Sequence, residues 1–312
     1  MEENKHRKKP INFSNPFNGR KWLNLLKEDN RYGILFKENL SLDKDWLGFS
    51  FQSNKYGLRG SENILADNVV CGTSYAMGLS VDNGLNWYET LFESNYFNIG
   101  MPIGPRNHLN LLNDLYRGSY KNLIYLYHPN VFPIAKSYNE AYKRKNGIFQ
   151  HLGWKTDLLS VLFLYIRWRL LFLIKFIKGD KPYIIHNNKK YFFNKNYNFF
   201  DYEKNQLYIK ENIHILKDMF SLFENIYVIR VPIKEEIIFK EYSLPELAPL
   251  IENYDMIWNQ FKSEIENNKN IEILENLETI FSLDDYLPMD THWSEKGNAK
   301  FSSFLKKTIN VF

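Results

Sequence analysis

An α/β fold built on one parallel sheet is what the sequence predicts, and three observations carry that prediction. Five short apolar runs, Asn68 to Cys71, Tyr96 to Ile99, Asn122 to Tyr127, Asn225 to Val231 and Asn270 to Leu274, have the length and composition of buried strands. Stretches with helical spacing follow most of them, such as Leu109, Leu112, Leu115 and Tyr116 after the second run. The chain is 312 residues long and 44% hydrophobic, enough to bury a large core. Strands alternating with helices imply a sheet covered on both faces, with ligands bound beyond the carboxyl ends of the strands.

Taken in order, residues 1 to 50 lack a clear period and are expected to form an arm around the domain that occupies 51–312. The first run leads through Gly72-Thr73-Ser74 into a helix-compatible stretch. The second ends in "NIGMPIGPRNHLNLL", where Pro105 suits the first position of a helix. The third ends in "LIYLYHPNVF". Between about 134 and 205 the alternation breaks, and this part reads as an insertion. It holds an apolar segment, Leu158 to Ile177, and then "KPYIIHNNKKYFFNKNYNFFDY", whose alternation around Asn-Asn predicts a hairpin. The apolar segment is long enough to span a bilayer, but Arg167, Arg169 and Lys175 each cost about 2.5–3.5 kcal/mol near a helix centre. An amphipathic helix that packs on the domain, on a second copy in a homodimer, or on a membrane surface fits it better. The final run is followed by Ala299, Phe301, Phe304, Leu305 and Ile309, a last helix with Ser294 as its cap.

Composition narrows the function. The formal charge of +4 arises from 40 basic and 36 acidic residues, too even for a nucleic-acid-binding surface. The basic start "MEENKHRKKP" has no apolar signal region, so a cytoplasmic location is expected, with membrane association open through Leu158 to Ile177. The single cysteine, Cys71, excludes an intrachain disulfide and reads as a small buried hydrophobe.

The chemistry-bearing residues lie in four stretches. Ser74 stands at a strand-to-helix junction, which suits a nucleophile and suits an ordinary N-cap equally well. Asp290 and His292 precede the last helix; two residues apart in an extended segment they point the same way, so that the carboxylate can orient the imidazole. Such a pair offers too few donors for a metal site, and neither a phosphate loop nor a dinucleotide fingerprint is present, so no metal and no cofactor is expected. Gly104 and Asn130 sit at the ends of the second and third strands, where a backbone N–H and a side-chain N–H can face an oxyanion. His128 is a second candidate base, with a packing or substrate-contact role the better reading of its place at a strand end. Arg106 and His108 are candidates for contact with an anionic or sugar substrate.

Together these stretches resemble the SGNH, or GDSL-like, hydrolase superfamily, from Asn54 to the C-terminus outside the insertion. "NKYGLRG", Asn54 to Gly60, is similar to a lead-in of its bacterial members, and "GTSY" and "DTHW" resemble the alginate O-acetyltransferase type. In that type the Asp-His element comes before the serine, whereas here it comes after. "VPIKEE", Val231 to Glu236, resembles a strand-end stretch of such proteins and receives no chemistry here.

The resemblance implies a three-layer, flavodoxin-like sheet and a Ser74–His292–Asp290 triad, with Ser74, Gly104 and Asn130 forming the oxyanion hole. It implies a serine esterase or O-acyltransferase acting on an O-acetylated carbohydrate or a related small-molecule ester. The alternative expectation is an inactive binding or assembly protein that retains the fold and uses its aromatic insertion as a contact surface, with Thr73 in place of the usual aspartate.

Overall fold

The computed structural model describes residues 25–29, 31–44, 48–128, 132, 183–193, 202–288 and 290–309. It opens with two small antiparallel pairs, β1 (Leu26–Asp29) with β2 (Gly33–Phe36), and β3 (Ser41–Leu42) with β4 (Phe51–Gln52). Leu35, Phe36 and Phe51 in these pairs are core residues. The α/β part then runs β5 (Asn68–Gly72), α1 (Ser74–Met77), α2 (Trp87–Phe92), β6 (Tyr96–Asn98), α3 (Pro105–Leu115) and β7 (Asn122–Tyr127). After a hairpin, β8 (Tyr183–His186) with β9 (Lys189–Phe192), come α4 (Tyr202–Phe220), β10 (Asn225–Arg230), α5 (Lys234–Tyr242), α6 (Ala248–Ile265), β11 (Ile271–Leu274) and α7 (Glu295–Thr308).

The five predicted strands form one parallel sheet in the order β11-β10-β7-β5-β6. Each lies within a residue or so of its apolar run. Counted along the chain this is the 2-1-3-4-5 order of flavodoxin-like folds, whose topological switch falls between the first and third strands, here β5 and β7. The sheet is buried because both faces are covered. Tyr125 and Tyr127 of β7 meet Phe220 of α4 and Phe261 of α6, with ring centroids 5.3 and 4.8 Å apart. Trp87 of α2 meets Phe301 of α7 at 5.1 Å. Strands covered on both faces need no polar alternation, which is why these runs are mainly apolar, with polar residues such as Asn68, Asn98, Asn122 and Arg230 at the strand ends.

The amino end of the sheet is fixed by asparagines. Asn122 donates to Asn68 Oδ1 at 2.9 Å, Asn225 donates to Asn122 Oδ1 at 3.1 Å, and Asn68 donates to the Asn95 carbonyl at 2.8 Å. These residues start three adjacent strands in register, so a slip of one residue would break the ladder.

The predicted hairpin is present. Its turn residues, Asn187 and Asn188, have φ of 47° and 59°, as a two-residue type I′ turn requires. Most of the rest of the insertion, including Leu158 to Ile177, lies outside the described residues, as does most of the N-terminal arm. Among the described residues no helix is long and apolar enough to cross a membrane.

Candidate active site

Gly72 closes β5 with φ of 135°, a backbone that favours glycine, and a Cβ there would come within 2.5 Å of the Leu126 carbonyl. The chain therefore turns hard against β7 before entering α1. Thr73 is the N-cap and Ser74 the first helical residue, so Ser74 is not the cap. The helix is a single turn, stopped by Gly78 in the left-handed region. A helix this short has almost no macrodipole to offer, and any anion stabilisation rests on its individual first-turn N–H groups.

A one-turn helix leaves most of its carbonyls short of backbone donors; Leu79 and Gly78 N–H reach the Ser74 and Tyr75 carbonyls at 3.1 Å, and side chains supply the rest. Trp87 Nε1 donates to the Tyr75 carbonyl at 3.2 Å, Asn98 Nδ2 to Ala76 at 3.1 Å, Tyr88 to Met77 at 2.9 Å, and buried Arg59 to Gly78. Arg59 also donates to the Val81 carbonyl, and its guanidinium lies 5.1 Å from the centre of the Phe51 ring. Four distant side chains thus hold the turn that carries Ser74.

The loop after β6 is laid along this junction. Ile99 N–H donates to the Val70 carbonyl at 2.9 Å and Met101 N–H to the Gly72 carbonyl at 3.1 Å. Asn98 Oδ1 accepts from Gly100 N–H at 2.7 Å, and a Cβ on Gly100 would meet the Ala76 backbone at 2.7 Å. Gly104 is the N-cap of α3 and Pro105 its first residue, as predicted. His108 is fully buried, with Nε2 3.2 Å from the Met101 carbonyl, and burial pushes its pKa down to about 4. Its place in the interior overturns the expectation of substrate contact, because its spacing puts it on the inner face of α3. Arg106 is exposed.

The second half of the site is a tight excursion before α7. Tyr286 and Trp293 form an antiparallel bridge, Leu287 N–H donates to the His292 carbonyl at 2.9 Å, and Ser294 caps α7 through Gly297 N–H at 3.3 Å. Asp290 Oδ1 accepts both from the His292 backbone N–H at 3.1 Å and from His292 Nδ1 at 2.5 Å. The geometry is an Asx turn rather than the extended segment expected; the carboxylate folds back on the backbone two residues ahead, which a spacing of two permits. His292 Nε2 lies 2.7 Å from Ser74 Oγ. Ser74, His292 and Asp290 are therefore joined in one hydrogen-bonded line that spans 218 positions of sequence. Asn130 lies outside the described residues.

Electrostatics fix the direction of that line. Burial works to raise the Asp290 carboxyl, but the His292 ring, its two hydrogen bonds and the Lys234 ammonium overcome it and hold it down to about 2. An ionised carboxylate only accepts, so Nδ1 carries the proton and Nε2 is free to accept from the Ser74 hydroxyl. His128, by contrast, is pushed down to about 3 by burial and by the neighbouring His292 and Arg230. It stacks on Tyr75 with centroids 5.5 Å apart, a packing position.

Two residues outside the sequence prediction complete the turn. Tyr75, next to Ser74, donates to the Thr291 carbonyl at 2.6 Å and packs 5.2 Å from the His292 ring. Lys234, the first residue of α5, is 0% exposed and donates to the Asp290 carbonyl at 2.7 Å and the Leu287 carbonyl at 3.3 Å. The only signal available for it was a lysine directly after a buried strand in "VPIKEE". Among the described residues no cluster of His, Cys, Asp and Glu is arranged to hold a metal ion. The chain matches no family model and no curated protein.

Proposed function

We propose that the protein is a serine esterase or O-acyltransferase that works through an acyl-enzyme on Ser74, on an O-acetylated carbohydrate or a related ester. The observation that carries this reading is the continuous line from Ser74 Oγ to His292 Nε2 and from His292 Nδ1 to Asp290. The resemblance of "GTSY" and "DTHW" to SGNH proteins supports the same reading.

In this mechanism Ser74 Oγ attacks the acyl carbon while His292 Nε2 takes its proton. The oxyanion is received by the Ser74 N–H, the Gly104 N–H and the Asn130 side chain. Collapse breaks the ester bond, and His292 returns the proton to the departing alcohol. Water or an acceptor hydroxyl, deprotonated by the same nitrogen, then releases the acyl group. Asp290 stays ionised throughout and stabilises the imidazolium. The test is covalent labelling with a fluorophosphonate, followed by peptide mapping. Label on Ser74, lost in Ser74→Ala together with p-nitrophenyl acetate turnover, is the expected result; label elsewhere with turnover intact refutes it.

A further inference from the structure

Lys234 stands where local rules disfavour it. A cation in the first turn of a helix opposes the helix dipole, and a fully buried ammonium loses its hydration. Residues that break such local rules are expected at functional or strained positions. What offsets the cost is the pair of carbonyls on the turn that carries Asp290, at 2.7 and 3.3 Å, together with the negative charge of Glu235 and Asp290. That turn is otherwise a short loop closed on itself by the Tyr286–Trp293 bridge and anchored by the Tyr286 hydroxyl on the Pro232 carbonyl at 2.7 Å, the Tyr75 hydroxyl on the Thr291 carbonyl and the Phe192 N–H on the Pro288 carbonyl at 2.8 Å.

We propose that Lys234 is a positioning residue: its ammonium ties the Asp290 turn to the end of β10 and faces the Asp290 carboxylate with positive charge, so that His292 stays aimed at Ser74. The inference rests on the proposed triad and adds a fourth group that touches neither substrate nor the reacting atoms. The titratable neighbours are Glu235 on the same helix and Asp290 from the turn, both of which act on Lys234. Tyr75 and Tyr286 lie beside those carboxylates, and burial keeps both phenols neutral. His292 lies beyond Asp290. Burial brings Lys234 down to about 8, against the pull of Glu235 and Asp290. The group is therefore charged at neutral pH and loses its charge in mildly alkaline solution.

The test uses the full chain, a fluorophosphonate probe and proton NMR. The low-field resonance of the His292 Nδ1 proton is assigned by its absence in His292→Gln. Lys234→Met keeps the apolar stem and removes the charge. Losing charge-assisted bonds of this kind slows labelling of Ser74 by roughly ten- to a hundredfold, and the low-field resonance broadens or disappears. A folded Lys234→Met protein that labels at the wild-type rate with the resonance unchanged overturns the proposal. Should that variant not fold, the wild-type protein decides: labelling and resonance that both decline above about pH 8 support it, and both constant to about pH 10 overturn it. A wild-type protein that takes no label counts against the acyl-enzyme reading alone, and the resonance then judges Lys234.

Discussion

The two ends of the sheet are both dense in buried polar groups, yet they use them differently. At the amino end, Asn68, Asn122 and Asn225 bond to one another in a neutral ladder that sets strand register. At the carboxyl end, side chains from remote segments bond to backbone carbonyls: Trp87, Asn98, Tyr88 and Arg59 on the Ser74 turn, Tyr75 and Lys234 on the Asp290 turn. The heads of Ser74, His292 and Asp290 are thereby left to meet each other. At the carboxyl end the loops are held largely through their backbone carbonyls, which leaves the Ser74 hydroxyl and the His292 ring to each other.

The comparison can be broken at several points. The largest effect belongs to the line itself: Ser74→Ala or His292→Gln should reduce p-nitrophenyl ester turnover by on the order of 10³–10⁶-fold, and Asp290→Asn by about 10⁴, with stability little changed. A triad variant that keeps its turnover removes the carboxyl end from consideration as a catalytic site.

Next comes Arg59. Arg59→Met leaves the Gly78 and Val81 carbonyls buried without their donor, and a loss of about 3 kcal/mol in urea unfolding is expected. Loss of labelling under native conditions should accompany it, since the turn under Ser74 loosens.

Asparagines on the two ends make a sharper pair. Asn122→Ala and Asn98→Ala should each cost about 1–3 kcal/mol in stability. Only Asn98→Ala, which frees both the Ala76 carbonyl and Gly100 N–H, should slow the labelling of Ser74. Equal slowing by both variants would mean that the ends are not mechanically distinct.

The smallest effect is a pH dependence. Burial lowers His128 to about 3 and His108 to about 4 from an ordinary 6.5, so both stay neutral in the folded chain over a range where the unfolded chain binds protons. Stability is therefore full above about pH 6.5 and declines as pH falls through the window between 6.5 and the folded values. Each histidine should contribute a loss on the order of 1 kcal/mol or less between pH 7 and pH 6. His128→Phe, which keeps the stacking on Tyr75, should flatten its share of that slope in urea titrations at successive pH values. An unchanged slope would show that His128 is already protonated in the fold.

Much of this molecule was legible in one dimension, for reasons that are local. The apolar runs beginning at Asn68, Tyr96, Asn122 and Asn225 became strands because a strand buried on both faces needs nothing but apolar side chains. Pro105 and Ser294 started helices through their own geometry and hydrogen bonding. Ser74, His292 and Asp290 could be nominated because few other residue types perform acyl transfer. His108 is misread as a loop residue, whereas α3 begins at Pro105 and sets His108 with Leu111 and Leu112 on its inner face.

Sequence by itself determined the strands, the helix starts, the Asn-Asn hairpin and the identity of the three candidate catalytic groups, since each depends on residues a few positions apart. Tertiary structure alone decided that Ser74 begins a helix instead of capping it, that Asp290 holds His292 through a turn, and that Arg59, Asn98 and Lys234 brace the two loops. The bracing by Arg59, Asn98 and Lys234 depends on donors finding carbonyls between 19 and 56 residues away, a pairing that only the packed sheet can set.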